Sequence, residues 1–434
     1  MKSFNRLSAI TGWLMFAVAA TVYMLTAEPT SSLWDCGEFI SAAYKLEVVH
    51  PPGAPLFLMI GSIFGWIATL ISDDPSMIAY SLNVMSGLCT AFLVMFVCLS
   101  TIMLSKLAMV GRYEVPKGGG ETLAILGGGV VAGLATTFAT SVWFSAVEGE
   151  VYAMSSGFTG LVMWSAIKWY VSDHPKADRW LIFIAYMMGL SIGVHLLSLL
   201  AFPFLGVLFY FKKKELGEGD VNFSLKGVFL GFLGGFGALV VVQYFIIPIL
   251  PQMAAAVDFF FVNHLGLGLG TGVLAFCLVL IGLIGLGLNY AHNKNQYNKF
   301  FAPAVISVIA VVVLVNIIYT PEGSGRALKS LFSLAAGGVG YLLRKHNKKE
   351  QLISGYYMHL GIMMFAMILI GFSSYGVVVI RANAETAINM NNPSDPYSML
   401  SYLNREQYGT RPLLYGPHFA SERSGEYPKD KDVW

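Results

Sequence analysis

The chain has 434 residues, of which 56% are hydrophobic and 12% charged, with a formal net charge of +2. Soluble domains carry about 25% charged residues, so a water-soluble globule is excluded, and a charge so near zero gives no reason to expect nucleic acid. Alternating apolar and polar positions, the mark of a β-barrel, do not occur; apolar runs near the ~20 residues that cross a bilayer as a helix recur instead.

In chain order the runs are 7–27, 55–71, 77–104, 123–147, 151–170, 180–195, 196–211, 223–249, 268–290, 300–319, 326–343 and 351–380. Lys2 and Arg6 precede the first run as in a signal sequence, but Leu25-Thr26-Ala27 lacks the small residue a cleavage site needs, so the helix is read as a retained anchor. The second run is short, contains Gly61 and Gly65, and lies between Pro51-Pro52-Gly53-Ala54-Pro55 and Ser72-Asp73-Asp74-Pro75. Basic residues decide whether it crosses. If it does not, and the N-terminus is cytoplasmic, the inside loops hold 18 Lys and Arg between Lys2 and Lys349, against 3 outside before the tail: Lys45, Arg326 and Lys329. If it crosses, the split becomes 4 inside and 17 outside. The pattern predicts an all-α polytopic membrane protein of about 11 transmembrane helices, plus an outer juxtamembrane helix over 55–71.

Residues 180–195 and 196–211 are short for spans and read as a shallow hairpin with His195 near its outer tip. Residues 1–381 form the transmembrane domain, with a first outer loop at 28–76. Residues 382–434 read as a polar tail outside the membrane, the start of a larger region of a longer polypeptide. The Gly-rich stretches at 127–129, 231–237 and 266–272 lie within or beside spans and read as packing faces. Three of the four cysteines, Cys89, Cys98 and Cys277, sit in apolar runs and only Cys36 lies in a loop, so neither a disulfide framework nor a metal site of cysteine type is expected.

Chemistry is expected in the outer loops. Asp35 and Glu38 are three apart and share a face of a helix predicted over 33–46, whose Phe39, Ala42, Ala43 and Leu46 form an apolar stripe. Two readings fit the acids: a reactive pair, or the start of a helix in which Ser32-Leu33-Trp34-Asp35 caps the N-terminus. Glu148 and Glu150 stand in a tight turn between two apolar runs, either used or paired, or solvated between the interface anchors Trp143 and Tyr152. His50, His195 and His264 fall at or near the outer face and are each either a structural hydrogen-bonding residue or a catalyst. Arg381 ends the last run, suited to a lipid phosphate or to snorkelling from the helix end.

One helix, a long outer loop with an acidic pair, then His-Pro-Pro-Gly-x-Pro-Leu and many further spans resemble the GT-C class of membrane glycosyltransferases. Trp34-Asp35-Cys36-Gly37-Glu38-Phe39, His50 to Leu56 and Ala146 to Tyr152, with Tyr402 to Gly409 in the tail, resemble the DUF2723 family. Its bacterial members are typical of Bacteroidetes, and it is similar to the TMEM-type protein O-mannosyltransferases. The resemblance implies a transferase in the bacterial cytoplasmic membrane that moves a sugar, mannose in the TMEM type, from a polyprenyl-phosphate donor to a protein Ser or Thr hydroxyl on the periplasmic side. Asp35 matches the general base and Glu38 its neighbour; His50, Glu148, Glu150, His195 and Arg381 are the candidates for binding donor and acceptor. No cofactor is expected beyond the lipid-linked donor, and the expected partners are membrane lipid and an acceptor protein. Two other classes fit the composition: a flippase or transporter of lipid-linked sugars, which would place its ionisable groups near the bilayer midplane in repeated halves, and a membrane scaffold without chemistry.

Overall fold

The computed structural model describes residues 2–172, 176–218, 224–292 and 355–409. The runs expected at 300–319 and 326–343 lie outside the described residues, as does the tail beyond 409. All regular structure among the described residues is helical apart from one parallel bridge between Val48 and Asn389.

Twelve helices precede the gap: α1 (Lys2–Thr26), α2 (Cys36–Lys45), α3 (Pro55–Thr69), α4 (Ser76–Met109), α5 (Gly119–Thr137), α6 (Thr140–Ala146), α7 (Val151–Val171), α8 (Arg179–Ile192), α9 (Phe202–Glu218), α10 (Leu225–Val241), α11 (Ile247–Leu265) and α12 (Thr271–His292). Three follow it: α13 (Gly355–Phe372), α14 (Gly376–Ala382) and α15 (Pro396–Leu403). Seven stretches among the described residues are long and apolar enough to cross a membrane, so the chain is a multi-pass membrane protein: Ser3–Thr26, Ser76–Met109, Gly119–Thr137, Leu196–Lys214, Leu225–Leu265, Thr271–His292 and Gly355–Ala382.

Several boundaries depart from the sequence pattern for physical reasons. Helix α7 falls outside the seven because it is rich in Ser, Gly and Trp; half of it is buried against α4, α8 and α9, so protein covers positions that lipid would otherwise meet. The hairpin around His195 has one short arm, α8, and one arm of spanning length, a 3₁₀ turn at Leu196–Ala201 running into α9. The run expected to stop at 249 continues to Leu265. A wide turn at Val242–Ile246 precedes Pro248 and Pro251 and opens the hydrogen-bond ladder where prolines supply no N–H.

The two ends of the bundle differ in charge. At one end Glu28, Asp35, Glu148 and Glu150 gather: the Glu28 amide donates to the Val147 carbonyl at 2.9 Å, and Leu56 to Gly193 at 2.8 Å. At the other, Lys212 binds the Trp169, Tyr170 (3.0 Å) and Ser172 (2.6 Å) carbonyls at the end of α7, and Arg112 stacks 4.9 Å over Tyr170. Lys106 and Lys168 line a groove with Arg112 there. Helix α3 rests on Ala43 and Tyr44 of α2 and on Ile78 and Leu82 of α4. Those contacts hold it at the acidic end, as a helix of 15 residues, ~22 Å long, requires.

Helices α8 and α13 meet backbone to backbone at Gly189 and Gly371. A Cβ on Gly189 would overlap the Ile368 carbonyl, and one on Gly371 the Leu190 amide. Gly189→Leu therefore forces the helices apart and should cost about 1–3 kcal/mol or more, read as a lowered thermal unfolding midpoint in detergent. Gly361→Ala on α13, with no atom within 4 Å of the added Cβ, should not lower the midpoint.

Candidate active site

The acidic end is built by backbone bonds between distant loops. Asn83, fully buried on α4, donates from its amide to the carbonyls of Glu28 (2.6 Å) and Thr30 (2.8 Å), fixing the chain just after α1. Trp34 then turns the chain at a left-handed φ of 67°, and α2 starts at Cys36, not at Leu33. Ser32 does not cap this helix; its hydroxyl donates to Glu148 at 2.9 Å. Asp35 holds the N-cap position without a side-chain cap bond, and its carboxylate is about half exposed at 56%. Of the two readings of Ser32 to Asp35, capping is not realised.

Both oxygens of Glu38 hold His50. The His50 amide donates to Oε1 at 2.7 Å, and Nδ1 lies 2.8 Å from Oε2. Burial alone would push the Glu38 carboxyl up, but the bonds from His50 outweigh it and leave the group below the ordinary carboxylate range. The same bond raises the His50 imidazole above its usual value against the effect of burial, with the charges of Glu38, Asp35 and Glu150 adding to it. Its other nitrogen, Nε2, lies 4.0 Å from Asp35. Phe39 packs edge-on against the His50 ring, and Phe57 edge-on against Phe39. One ligand atom each from Asp35, Glu38 and His50 lies within 4.8 Å of the others, so these three could hold a divalent cation. Sequence spacing misses this cluster because His50 returns to Glu38 across a turn.

That turn follows Leu46, at a left-handed φ of 52°, and His50 itself opens a second one, His50-Pro51-Pro52-Gly53, closed by the Gly53 amide on the His50 carbonyl at 2.9 Å. Gly53 has φ 77°, and a Cβ there would stand 2.6 Å from the Tyr402 hydroxyl, so the position admits no side chain. Tyr402 comes from the segment read as an outside tail. Through residue 408 the chain folds back onto this end: Val48 donates to Ile388 (3.0 Å), Met390 to Val48 (3.1 Å), and the Tyr402 hydroxyl to the Val49 carbonyl. The pattern Met399, Tyr402, Leu403 explains this, since i, i+3 and i+4 make a single buried face on α15.

A cavity of about 210 Å³ opens at this end, lined by Asp35, His50, Glu150, Tyr152, His195 and Arg405 among others. Four of the seven candidate residues thus share one cavity. Glu38 stands behind it, holding His50. Glu148 is buried beneath it, holding Ser32. Arg381 is elsewhere: its Nε donates to the Leu46 carbonyl at 2.6 Å and Nη2 to Lys45 at 3.2 Å, closing the C-terminus of α2, whose last carbonyls need donors. The sequence signal for Arg405 is its place in the Tyr402 to Gly409 motif.

Glu150, 6% exposed, has its carboxyl pushed up to about 7, chiefly by burial, with the charges of Asp35 and Glu148 adding to it and the Val151 amide and His50 opposing it. A raised carboxyl binds its proton more tightly when folded, so its contribution to stability is whole below pH 4.5 and is lost as pH rises through about 7. Glu150→Gln keeps an acceptor for the Val151 amide. It should raise the unfolding midpoint relative to wild type at pH 8 and leave it level at pH 4.5, a difference of at most about 3 kcal/mol. Equal offsets at both pH values would contradict this.

A second, larger cavity of about 1180 Å³ runs between α8, α9, α10 and α13, apolar along Leu181, Phe202, Leu205 and Met364 and ending at Lys213 and Lys214. It shares no lining residue with the acidic cavity and holds no carboxylate, so it suits a hydrocarbon chain and not the chemistry.

Residues 35–218 match the model of the family described as Protein O-mannosyl-transferase TMEM260 N-terminal domain. The chain is similar to Protein O-mannosyl-transferase tmem260 of Dictyostelium discoideum, 26% identical over 203 residues, which cover 44% of this chain and 22% of that protein. It is also similar to Protein O-mannosyl-transferase TMEM260 of Mus musculus, 27% identical over 179 residues, which cover 41% of this chain and 22% of that protein. The chain thus matches less than a quarter of the length of these relatives. No solved structure matches it significantly.

Proposed function

We propose that the chain, whose residues 35–218 match the TMEM260 N-terminal domain model, is a TMEM-type O-mannosyltransferase-like protein and a membrane glycosyltransferase of GT-C type. It moves mannose from a polyprenyl-phosphate donor to a protein Ser or Thr hydroxyl. The observation that carries this reading is the acidic cavity, in which an Asp35 carboxylate without a capping bond stands beside a histidine and an arginine.

In this reading Asp35 takes the proton of the acceptor hydroxyl as its oxygen attacks the anomeric carbon. The bond from that carbon to the phosphate oxygen breaks, its electron pair leaves with the phosphate, and single displacement inverts the centre. Phosphate is a good leaving group, so one base suffices. The cationic cluster at Lys106, Arg112, Lys168 and Lys212 supports placing the opposite, acidic end outside the cytoplasm, periplasmic if the membrane is a bacterial inner one. The same placement argues against a transporter, whose ionisable groups belong near mid-membrane.

Proteoliposomes holding the chain, given sugar-labelled polyprenyl-phosphate mannose and a Ser/Thr-rich acceptor protein, should incorporate label into the protein, released by alkaline β-elimination. Label that stays on the lipid overturns the proposal.

A further inference from the structure

Arg405 lines the acidic cavity, and no role described so far uses it. It follows α15 at a left-handed φ of 57°, a conformation that bulky residues adopt only when the surrounding structure imposes it. Its acidic neighbours are committed elsewhere. Glu406 accepts from the Ser401 hydroxyl at 2.9 Å and from the Asn404 amide at 3.4 Å, and Asp395 closes the capping box of α15 with Ser398. Among the described residues no carboxylate forms an ion pair with Arg405.

Its neighbour in the cavity is His195. The Leu197 amide donates to His195 Nδ1 at 3.1 Å, so the proton of the neutral ring sits on Nε2. Burial, and then the charge of Arg405, lowers the pKa of this imidazole and keeps it neutral near pH 7. The cavity therefore sets Asp35 and Glu150, whose charges act on one another, against two donors, the Arg405 guanidinium and the His195 Nε2–H. An unpaired guanidinium beside an N–H donor is suited to the oxygens of a phosphate, because its planar fork can bind two of them at once.

The geometry points to Arg405, seconded by His195, as the site that binds the phosphate group of the sugar donor. The inference rests on the transferase reading and adds the leaving-group site to it. As the sugar–oxygen bond breaks, its electron pair stays on the phosphate oxygen, and the charge gained there is met by the guanidinium and the His195 Nε2–H. The returning segment 386–408 then has a catalytic purpose: the bridge at Val48 and the Tyr402 anchor place Arg405 opposite the first-loop acids.

The test is binding to the full chain in detergent, with polyprenyl monophosphate and a nucleoside diphosphate as separate probes, for wild type, Arg405→Gln and Arg405→Lys. Arg405 is exposed, and its hydrogen bonds to Tyr402 and Tyr408 are made by its backbone, so both variants should melt as wild type does; if Gln alone fails to fold, Lys carries the test. Wild type should bind one probe, and which one identifies lipid or nucleotide as the phosphate carrier. Gln should weaken that binding about 10- to 100-fold, and Lys by less, since it keeps the charge and loses the fork. Unchanged binding by Gln, or no binding of either probe to wild type, overturns the inference. If binding depends on Arg405 while wild type transfers no sugar to protein, the phosphate site stands and the transferase reading fails.

Discussion

Asp35→Asn should fold, insert and retain donor binding, yet lose sugar transfer by about two to four orders of magnitude, the range that general-base catalysis supplies. Asparagine matches aspartate in size and cannot take a proton. The structure makes the substitution clean, because the Asp35 carboxylate caps no helix and is about half exposed, so its removal breaks no bond that holds α2. Single-turnover transfer with saturating donor reads the effect as a fall in rate with donor affinity unchanged. Near-normal transfer by Asp35→Asn would remove it as the base.

Glu38→Gln is the second substitution with a large expected effect, through His50. The Glu38–His50 pair is ionised over a window whose lower edge is the depressed Glu38 value and whose upper edge is the raised His50 value. The Glu38 contribution to stability is lost as pH falls through the lower edge, and that of His50 as pH rises through the upper. Glutamine retains an acceptor for the His50 amide but removes the charge that raises the ring. In NMR of labelled histidine, the His50 titration should therefore move to lower pH. Replacing a charge-assisted bond by a neutral one should slow transfer about 10- to 100-fold, because the ring beside Asp35 loses its fixed position. An unmoved His50 titration would show that Glu38 does not control it.

What the sequence makes legible follows from the range of each signal. Apolar run length is a local signal, and it places α1, α4, α5, α10, α12 and α13 because lipid requires it of each span separately. It places α7 as well, expected over 151–170 and found at Val151–Val171, and it fails at α11, where a wide turn absorbs two prolines. Charge asymmetry, summed over all loops, anticipates α3 staying at one end, and the contacts of Ala43 and Ile78 agree. In the candidate site, spacing alone puts Asp35 and Glu38 on one face without separating a reactive pair from a helix start. Their division of labour is not legible there, because it depends on His50 arriving from beyond the helix. Arg381 and Arg405 are exchanged for the same reason. Arg381 ends an apolar run in the sequence and Arg405 lies in the polar tail, and only the pairing of Val48 with Asn389 shows that the first closes α2 while the second lines the cavity.

The configuration of the product tests the central claim most directly. A donor of known anomeric configuration, given to the wild-type chain with a Ser-containing acceptor, should yield a glycopeptide whose anomeric proton and carbon couplings show the opposite configuration. Retained configuration would require a covalent sugar–enzyme intermediate, and would contradict single displacement with Asp35 as base.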